Sequence, residues 1–254
     1  MKLYRFPAFI VFLLLTALPA KPQNSSVGQG SQKLQTFEKE IKHKAKLDYL
    51  LFLPEGFKQE STAKYPLILF LHGMGERGAD AWLVAKHGPP KVAGHMTNFP
   101  FIVVSPQCPT SDWWINEDVE ALLDNVIEKY PVDKKRVYLT GLSMGGFATW
   151  SLGLSHPERY AAIAPICGGS VPQRPMFLDG ERQKALKSLP VWAFHGGKDN
   201  VVKLDESQRM VDYLKSMGCK EVKFTIYPEA GHDSWVQAYN DPKLYEWFLS
   251  HSRP

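Results

Sequence analysis

PLILFLH (Pro66–His72), FIVVS (Phe101–Ser105), VYLT (Val137–Thr140), AAIAPI (Ala161–Ile166), VWAFH (Val191–His195) and VKFTIY (Val222–Tyr227) are short, nearly unbroken apolar runs. A strand with one wet face alternates apolar and polar residues. A strand buried on both faces does not, and such strands belong to parallel sheets covered on both sides. The connections between the runs must then be long enough to cross over, which calls for helices.

The intervening segments read that way. Val119, Leu122, Leu123, Val126, Ile127 and Tyr130 follow the three-to-four spacing of a helix stripe, and Pro131 ends it. Met144–His156 stops before Pro157, Asp205–Met217 stops at Gly218, and Lys243–Leu249 closes the chain. Strand and helix in alternation predict an α/β fold with a mainly parallel sheet and helices on both faces. Ahead of it, TFEKEI and LDYLLFL predict an antiparallel N-terminal strand pair. No repeat or low-complexity break interrupts residues 35–254, which read as one domain. In open sheets of this class ligands bind outside the carboxyl ends of the strands. The chemistry is to be sought there.

The N-terminus reads differently. Lys2 and Arg5 precede FPAFIVFLLLTALPA, a basic start and a short apolar middle ending in a small residue. That layout predicts a secretory signal peptide over 1–20, cut after Ala20, and hence a secreted or periplasmic protein. Leu18 is large for its place two before the cut, which keeps an uncleaved membrane anchor as the alternative. Residues 21–34, beginning KPQNSSVGQGSQ, read as a disordered linker. With 30 basic and 26 acidic residues the net charge of +4 argues against a nucleic-acid partner. Cys108, Cys167 and Cys219 allow at most one disulfide, and their spacing matches no zinc pattern. No metal, no cofactor and no lasting membrane partner is expected.

VYLTGLSMGG holds the one serine set in a cleared turn. Gly141-Leu142-Ser143-Met144-Gly145 ends a predicted strand and opens a predicted helix, the setting of a nucleophile elbow. Small neighbours let strand and helix approach, and the helix start aims N–H groups at charge developing beside the serine. A serine hydroxyl needs a base, and the base a carboxylate. In sites of this kind the chain order is Ser, then Asp or Glu, then His. His43, His72, His87 and His95 precede Ser143. His156 lies at the far end of the serine's own helix, His195 in a strand ahead of the acid, and His251 among the last four residues. His232, in YPEAGHDSW just after the last strand, remains as base. Asp199, in VWAFHGGKDNVV, is the acid, with Asp205 second and the two valines packing its loop down. The oxyanion donors are the Met144 N–H and, in FLHGMGERG, the Met74 N–H, with Gly73 as alternative. His72 reads as a structural hydrogen-bonding residue.

HGMGERG, SPQC, GLSMGG, FHGGKDNVV and GHDSW, taken in this order from Pro66 to Trp235, resemble the α/β-hydrolase superfamily. Within it they are similar to lidless secreted esterases grouped with feruloyl esterases, polyhydroxybutyrate depolymerase-like proteins and predicted peptidases. The resemblance implies the α/β-hydrolase fold, esterase chemistry, and Ser143, Asp199 and His232 as triad. It does not specify the substrate.

On the substrate side, Trp113 and Trp114 in PQCPTSDWW and Trp235 in GHDSW either form an aromatic wall for an acyl or aryl group or belong to the core. Gln107 either bonds the substrate or fixes its own loop. Cys108 and Cys167 read as passive small apolar residues. Cys167–Leu189, where many relatives insert a lid, is short, polar and proline-bearing. That argues against a triacylglycerol lipase and for short-chain or aryl esters, of small molecules or linked to polysaccharide, at an open cleft. A serine peptidase is the second reading, and an inactive hydrolase-fold binding protein the third.

Overall fold

All six apolar runs form strands. A computed structural model describes residues 34–40, 42–60, 62–96, 98–170 and 178–254. In chain order the strands are β1 (Tyr49–Phe52), β2 (Tyr65–Leu71), β3 (Ile102–Pro106), β4 (Val132–Leu142), β5 (Ala162–Ile166), β6 (Val191–Gly196) and β7 (Val222–Tyr227). They make one sheet in the order β1-β3-β2-β4-β5-β6-β7. Every neighbouring pair is parallel except β1 with β3, where Tyr49 faces Pro106 and Phe52 faces Val103.

The antiparallel pair is therefore present with a different partner from the one the sequence suggested. LDYLLFL supplies β1, but Thr36–Glu40 forms no strand and is exposed. Phe37 stands in the open, and Glu38, Lys39 and Glu40 give that stretch no apolar face to bury. Strand β3 takes the place beside β1 that TFEKEI was expected to fill. Ile41, like the expected signal segment 1–20 and most of the expected linker 21–34, lies outside the described residues.

Helices α1 (Gly88–Ala93), α2 (Asn116–Lys129), α3 (Met144–Ser155), α4 (Gly180–Ser188), α5 (Leu204–Ser216), α6 (Trp235–Asn240) and α7 (Pro242–Leu249) cover both faces. Successive strand residues point to opposite sides. Leu67, Leu69 and Leu71 of β2 join Val137 and Leu139 of β4 in one core, packed with Val119 and Leu123 of α2, Ala148 and Leu152 of α3, and Met210 and Leu214 of α5. Ile68 and Phe70 join Tyr138 in the other, under Ala93 of α1, Tyr239 of α6 and Phe248 of α7. This double core explains the unbroken apolar runs.

Between β5 and β6, residues 171–177 lie outside the described part, and α4 follows them. The sequence reads there as a polar excursion. It forms a helix because Asp179 caps it, accepting from the Arg182 N–H, and Leu186 is buried in the core.

Candidate active site

Strand β4 lies in the middle of the sheet, so its carboxyl end opens at the centre of the ligand-binding edge. There the backbone turns sharply into α3. Ser143 occupies φ 52°, ψ −116°, a conformation that L residues avoid and that costs on the order of 1–3 kcal/mol. The glycines permit the turn by closeness rather than by flexibility. A Cβ on Gly145 would lie 1.9 Å from the Leu71 carbonyl oxygen, and one on Gly146 would lie 2.3 Å from that of Ile166. Nothing larger than hydrogen fits between α3 and the strands flanking β4.

Loops from two further strand ends bring the partners. His232, four residues after the Pro228 that follows β7, points Nε2 at Ser143 Oγ, 2.9 Å away. Its Nδ1 lies 2.8 Å from Oδ2 of Asp199, in the loop after β6. A carboxylate only accepts, so Nδ1 carries the hydrogen and Nε2 is free to accept the serine proton. The other carboxylate oxygen, Oδ1, accepts from the N–H groups of Val201 and Val202, each at 2.9 Å. The two valines do fasten this loop, through their amides. The Val201 side chain is two-thirds exposed, which corrects the packing role read from the sequence. Asp199 is buried, whereas Asp205, the second choice for the acid, lies in the first turn of α5.

The two residues expected to supply the oxyanion donors each begin a helix. Met144 is the first residue of α3, where N–H groups have no partner within the helix. Met74 opens a short 3-10 helix, Met74–Glu76, just after β2. The Gly73 N–H donates to Glu76 Oε2 at 3.1 Å, which takes the alternative donor out of use and leaves Met74. Glu76 is buried, and the Nε2 of His87 stands 3.7 Å from its second oxygen. Sequence reasoning passed over this carboxylate. The Gly73-x-x-Glu76 spacing, half of a capping box, was the signal for it.

Gln107, Trp114 and His72 are framework. Gln107 is 3% exposed and donates through Nε2 to the carbonyls of Glu76 and Asp80, at 2.9 and 2.7 Å. It fixes the loop that carries Met74. Trp114 is 6% exposed and donates its indole N–H to the His72 carbonyl at 3.2 Å, so it belongs to the core and not to an aromatic wall. His72 accepts from the Cys108 N–H at Nε2 and donates at Nδ1 to the Gly73 carbonyl. Its burial lowers the pKa to about 4 and keeps the ring neutral.

Two of the four candidate substrate residues keep exposed surface. Trp113 is half exposed, with its ring 6.3 Å from that of Phe147, one turn beyond Ser143. Together they flank a hollow of about 300 Å³ floored by Asn116 and Ser151. Trp235 stands edge to face with His232, ring centres 5.3 Å apart, and meets His87 on its other side. A larger hollow of about 840 Å³, lined by Gln59, Lys64 and Tyr130, lies at the amino end of β4, away from Ser143.

Cys167 also reaches the site. It sits at φ 41° just after β5, and its Sγ accepts from the Ser143 N–H at 3.3 Å. Its sulfur, a carboxylate oxygen of Asp199 and a ring nitrogen of His232 lie within 4.8 Å of one another. Burial raises the thiol pKa far above its usual value, and the carboxylate and imidazole are already bonded to each other. The trio is thus spent on mutual contacts and makes a poor ligand set for a metal.

Residues 113–245, just over half of the chain, match the phospholipase/carboxylesterase family. The chain belongs to that family. A bifunctional acetylxylan esterase/xylanase of Neocallimastix patriciarum is 30% identical over 165 residues, 59% of this chain and 21% of that protein. Feruloyl esterase D of Neurospora crassa is 26% identical over 249 residues, covering 89% of this chain and 80% of the fungal one. The crystal structure of a thermostable esterase superposes with a TM-score of 0.65 at 31% identity, over 82% of this chain and 60% of the other. The chain spans less than half the length of several curated relatives that it matches. The fold is that of the α/β-hydrolases, with the sheet and covering helices described above.

Proposed function

We propose that this family member is an exported serine carboxylesterase that cleaves short-chain or aryl carboxylic esters through an acyl-enzyme on Ser143. The observation that carries the reading is the unbroken hydrogen-bond chain from Ser143 Oγ through His232 to Asp199. Ser143 Oγ attacks the ester carbonyl carbon while its proton passes to His232 Nε2. The carbonyl electron pair moves onto oxygen, which faces the N–H groups of Met144 and Met74. The tetrahedral adduct collapses, the alcohol leaves with the proton from His232, and a water activated by the same nitrogen releases the acid. Asp199 stays ionised throughout, holding the Nδ1–H tautomer and stabilising the imidazolium. Trp113 and Trp235 flank the acyl or aryl group.

A fluorophosphonate probe and a panel of p-nitrophenyl esters, aryl methyl esters and peptide amides test the proposal. The purified chain is expected to be labelled at Ser143 and to cleave short-chain or aryl esters far faster than amides. An unlabelled, inactive chain overturns the reading, and equal rates on amides replace it with a peptidase. A chelator is expected to leave the rates unchanged. For export, protein recovered from its native host is expected to begin near Lys21. Recovery from the cytosol with Met1 intact overturns that part.

A further inference from the structure

Three hydrogen-bond donors hold Asp199, the Val201 and Val202 amides and His232 Nδ1, and a fourth N–H group stands close beside it. It belongs to a second histidine. His195, at the carboxyl end of β6, is fully buried, and its Nε2 lies 3.3 Å from Asp199 Oδ2, the oxygen that binds His232. The same Nε2 is 2.9 Å from the Val202 carbonyl oxygen. Both neighbours only accept, so Nε2 carries a hydrogen whether the ring is neutral or charged. On the other side of the ring, Nδ1 is 2.8 Å from Ser207 Oγ, and that hydroxyl lies 2.7 Å from the Gly168 carbonyl. Ser207 is itself fully buried, in the first turns of α5. A relay thus runs from the end of β5 through Ser207 and His195 to the acid.

We propose that His195 is a positioning residue for the triad, sharing its Nε2–H between the Val202 carbonyl and Asp199 Oδ2 and so fixing the carboxylate that orients His232. The inference rests on the reading of Ser143, His232 and Asp199 as the catalytic groups. Two amides hold Oδ1, and they alone leave Oδ2 free to swing toward or away from His232. The His195 donor closes that freedom and draws off part of the negative charge that would otherwise bear on the His232 ring. An imidazole suits this place because it is rigid and donates on one side while the other side is tied to Ser207. The groups that face His232 are Ser143, Asp199, Cys167, Trp235 and the neighbouring Asp233, with His87 behind the Trp235 ring. Among these, a change at His195 acts through Asp199, which its Nε2 approaches.

Two variants of the full chain test it, with the native chain as reference. His195→Gln keeps an N–H donor at the reach of Nε2, and His195→Asn falls short of it. In His195→Asn, kcat is expected to fall roughly 10-fold or more, bounded by the ~10⁴ lost when such a triad's acid is neutralised, with KM within about twofold. The acid-limb midpoint of the rate profile is expected to move upward, because the carboxylate bears more fully on the imidazolium. His195→Gln is expected to restore most of the rate and the native midpoint. A folded His195→Asn with native kcat and midpoint overturns the proposal. So does a His195→Gln no better than a folded His195→Asn. Should His195→Asn not fold, Ser207→Ala decides, since it frees the ring while leaving its donor. An upward shift supports the relay, and a folded Ser207→Ala with the native profile overturns it. Fluorophosphonate labelling of the native chain keeps the two readings apart, because an unlabelled native chain sinks the triad itself.

Discussion

His72 and His232 both stand just past the carboxyl end of a strand, on the same edge of the sheet, in glycine-bearing loops. One is fully buried, with both ring nitrogens spent on backbone groups of its own loop and the next. The other is partly exposed, with one nitrogen on a carboxylate and the other on a hydroxyl. The ring is the same, and so is the place in the fold. What differs is the partner. Main-chain partners turn a histidine into a brace. A carboxylate on one side and a free proton donor on the other make it a base. The comparison can be broken at either end.

The largest effect is expected at the base. Ser143→Ala and His232→Ala are each expected to lower kcat by about 10⁶, as in other triads, with the thermal midpoint nearly unchanged. His72→Gln, measured on the same ester, is expected to lose far less activity and more stability. Comparable activity losses at the two histidines would erase the distinction.

Next is the acid. Asp199→Asn is expected to lower kcat by about 10⁴ and to move the acid limb of the profile downward, because the charge favouring the His232 imidazolium is gone. Activity in the native chain is expected to rise with the loss of one proton, since only neutral imidazole can take the Ser143 proton. An unimpaired Asp199→Asn beside an inactive Asp205→Asn would move the acid into α5.

The meeting of Ser143, Asp199 and His232 was legible in the sequence because each follows an apolar run, and runs of that kind fix which edge of the sheet they reach. The elbow was legible through Gly141, Gly145 and Gly146, whose missing side chains are a steric demand written in single letters. Trp113 and Trp114 were not separable in this way. They are adjacent, identical, and both near the site, but only Trp114 finds the His72 carbonyl. Which of two neighbours turns inward is decided by tertiary partners. The same holds for Gln107, whose amide meets carbonyls some thirty residues away in the chain. TFEKEI failed for a related reason: alternation alone does not make a strand, and with Glu38, Lys39 and Glu40 beside an exposed Phe37 the stretch has no apolar face to bury.

That pair of tryptophans sharpens the contrast between brace and working residue. Trp114→Ala is expected to destabilise the chain by about 3–5 kcal/mol in urea unfolding, the usual range for a large buried aromatic. Trp113→Ala, at a half-exposed site, is expected to stay within about 1 kcal/mol of native and to change KM for aryl esters instead. Equal stability losses would show that Trp113 is core as well.

The smallest effect belongs to His72 as an acid-sensitive brace. Its folded pKa is lowered to about 4 by burial, against 6.5 in an unfolded chain. Between those values the unfolded chain takes up a proton at this residue that the folded chain refuses. Stability from this residue is therefore complete above about pH 6.5, falls as the pH drops, and levels off below about 4. Over that window the loss amounts to about 3 kcal/mol, from roughly 1.4 kcal/mol per unit of pKa difference. Other groups titrate in the same range, His87 among them, so the informative quantity is a difference. Urea unfolding of the native chain and of His72→Gln, followed from pH 7 to pH 4, isolates it. The substitution is expected to cost stability at pH 7, where the native ring is neutral and fully bonded, and to cost progressively less toward pH 4. A gap that stays constant across the window would mean that the His72 ring accepts a proton as readily in the folded chain as in the unfolded one, and that burial at this strand end does not separate the brace from the base.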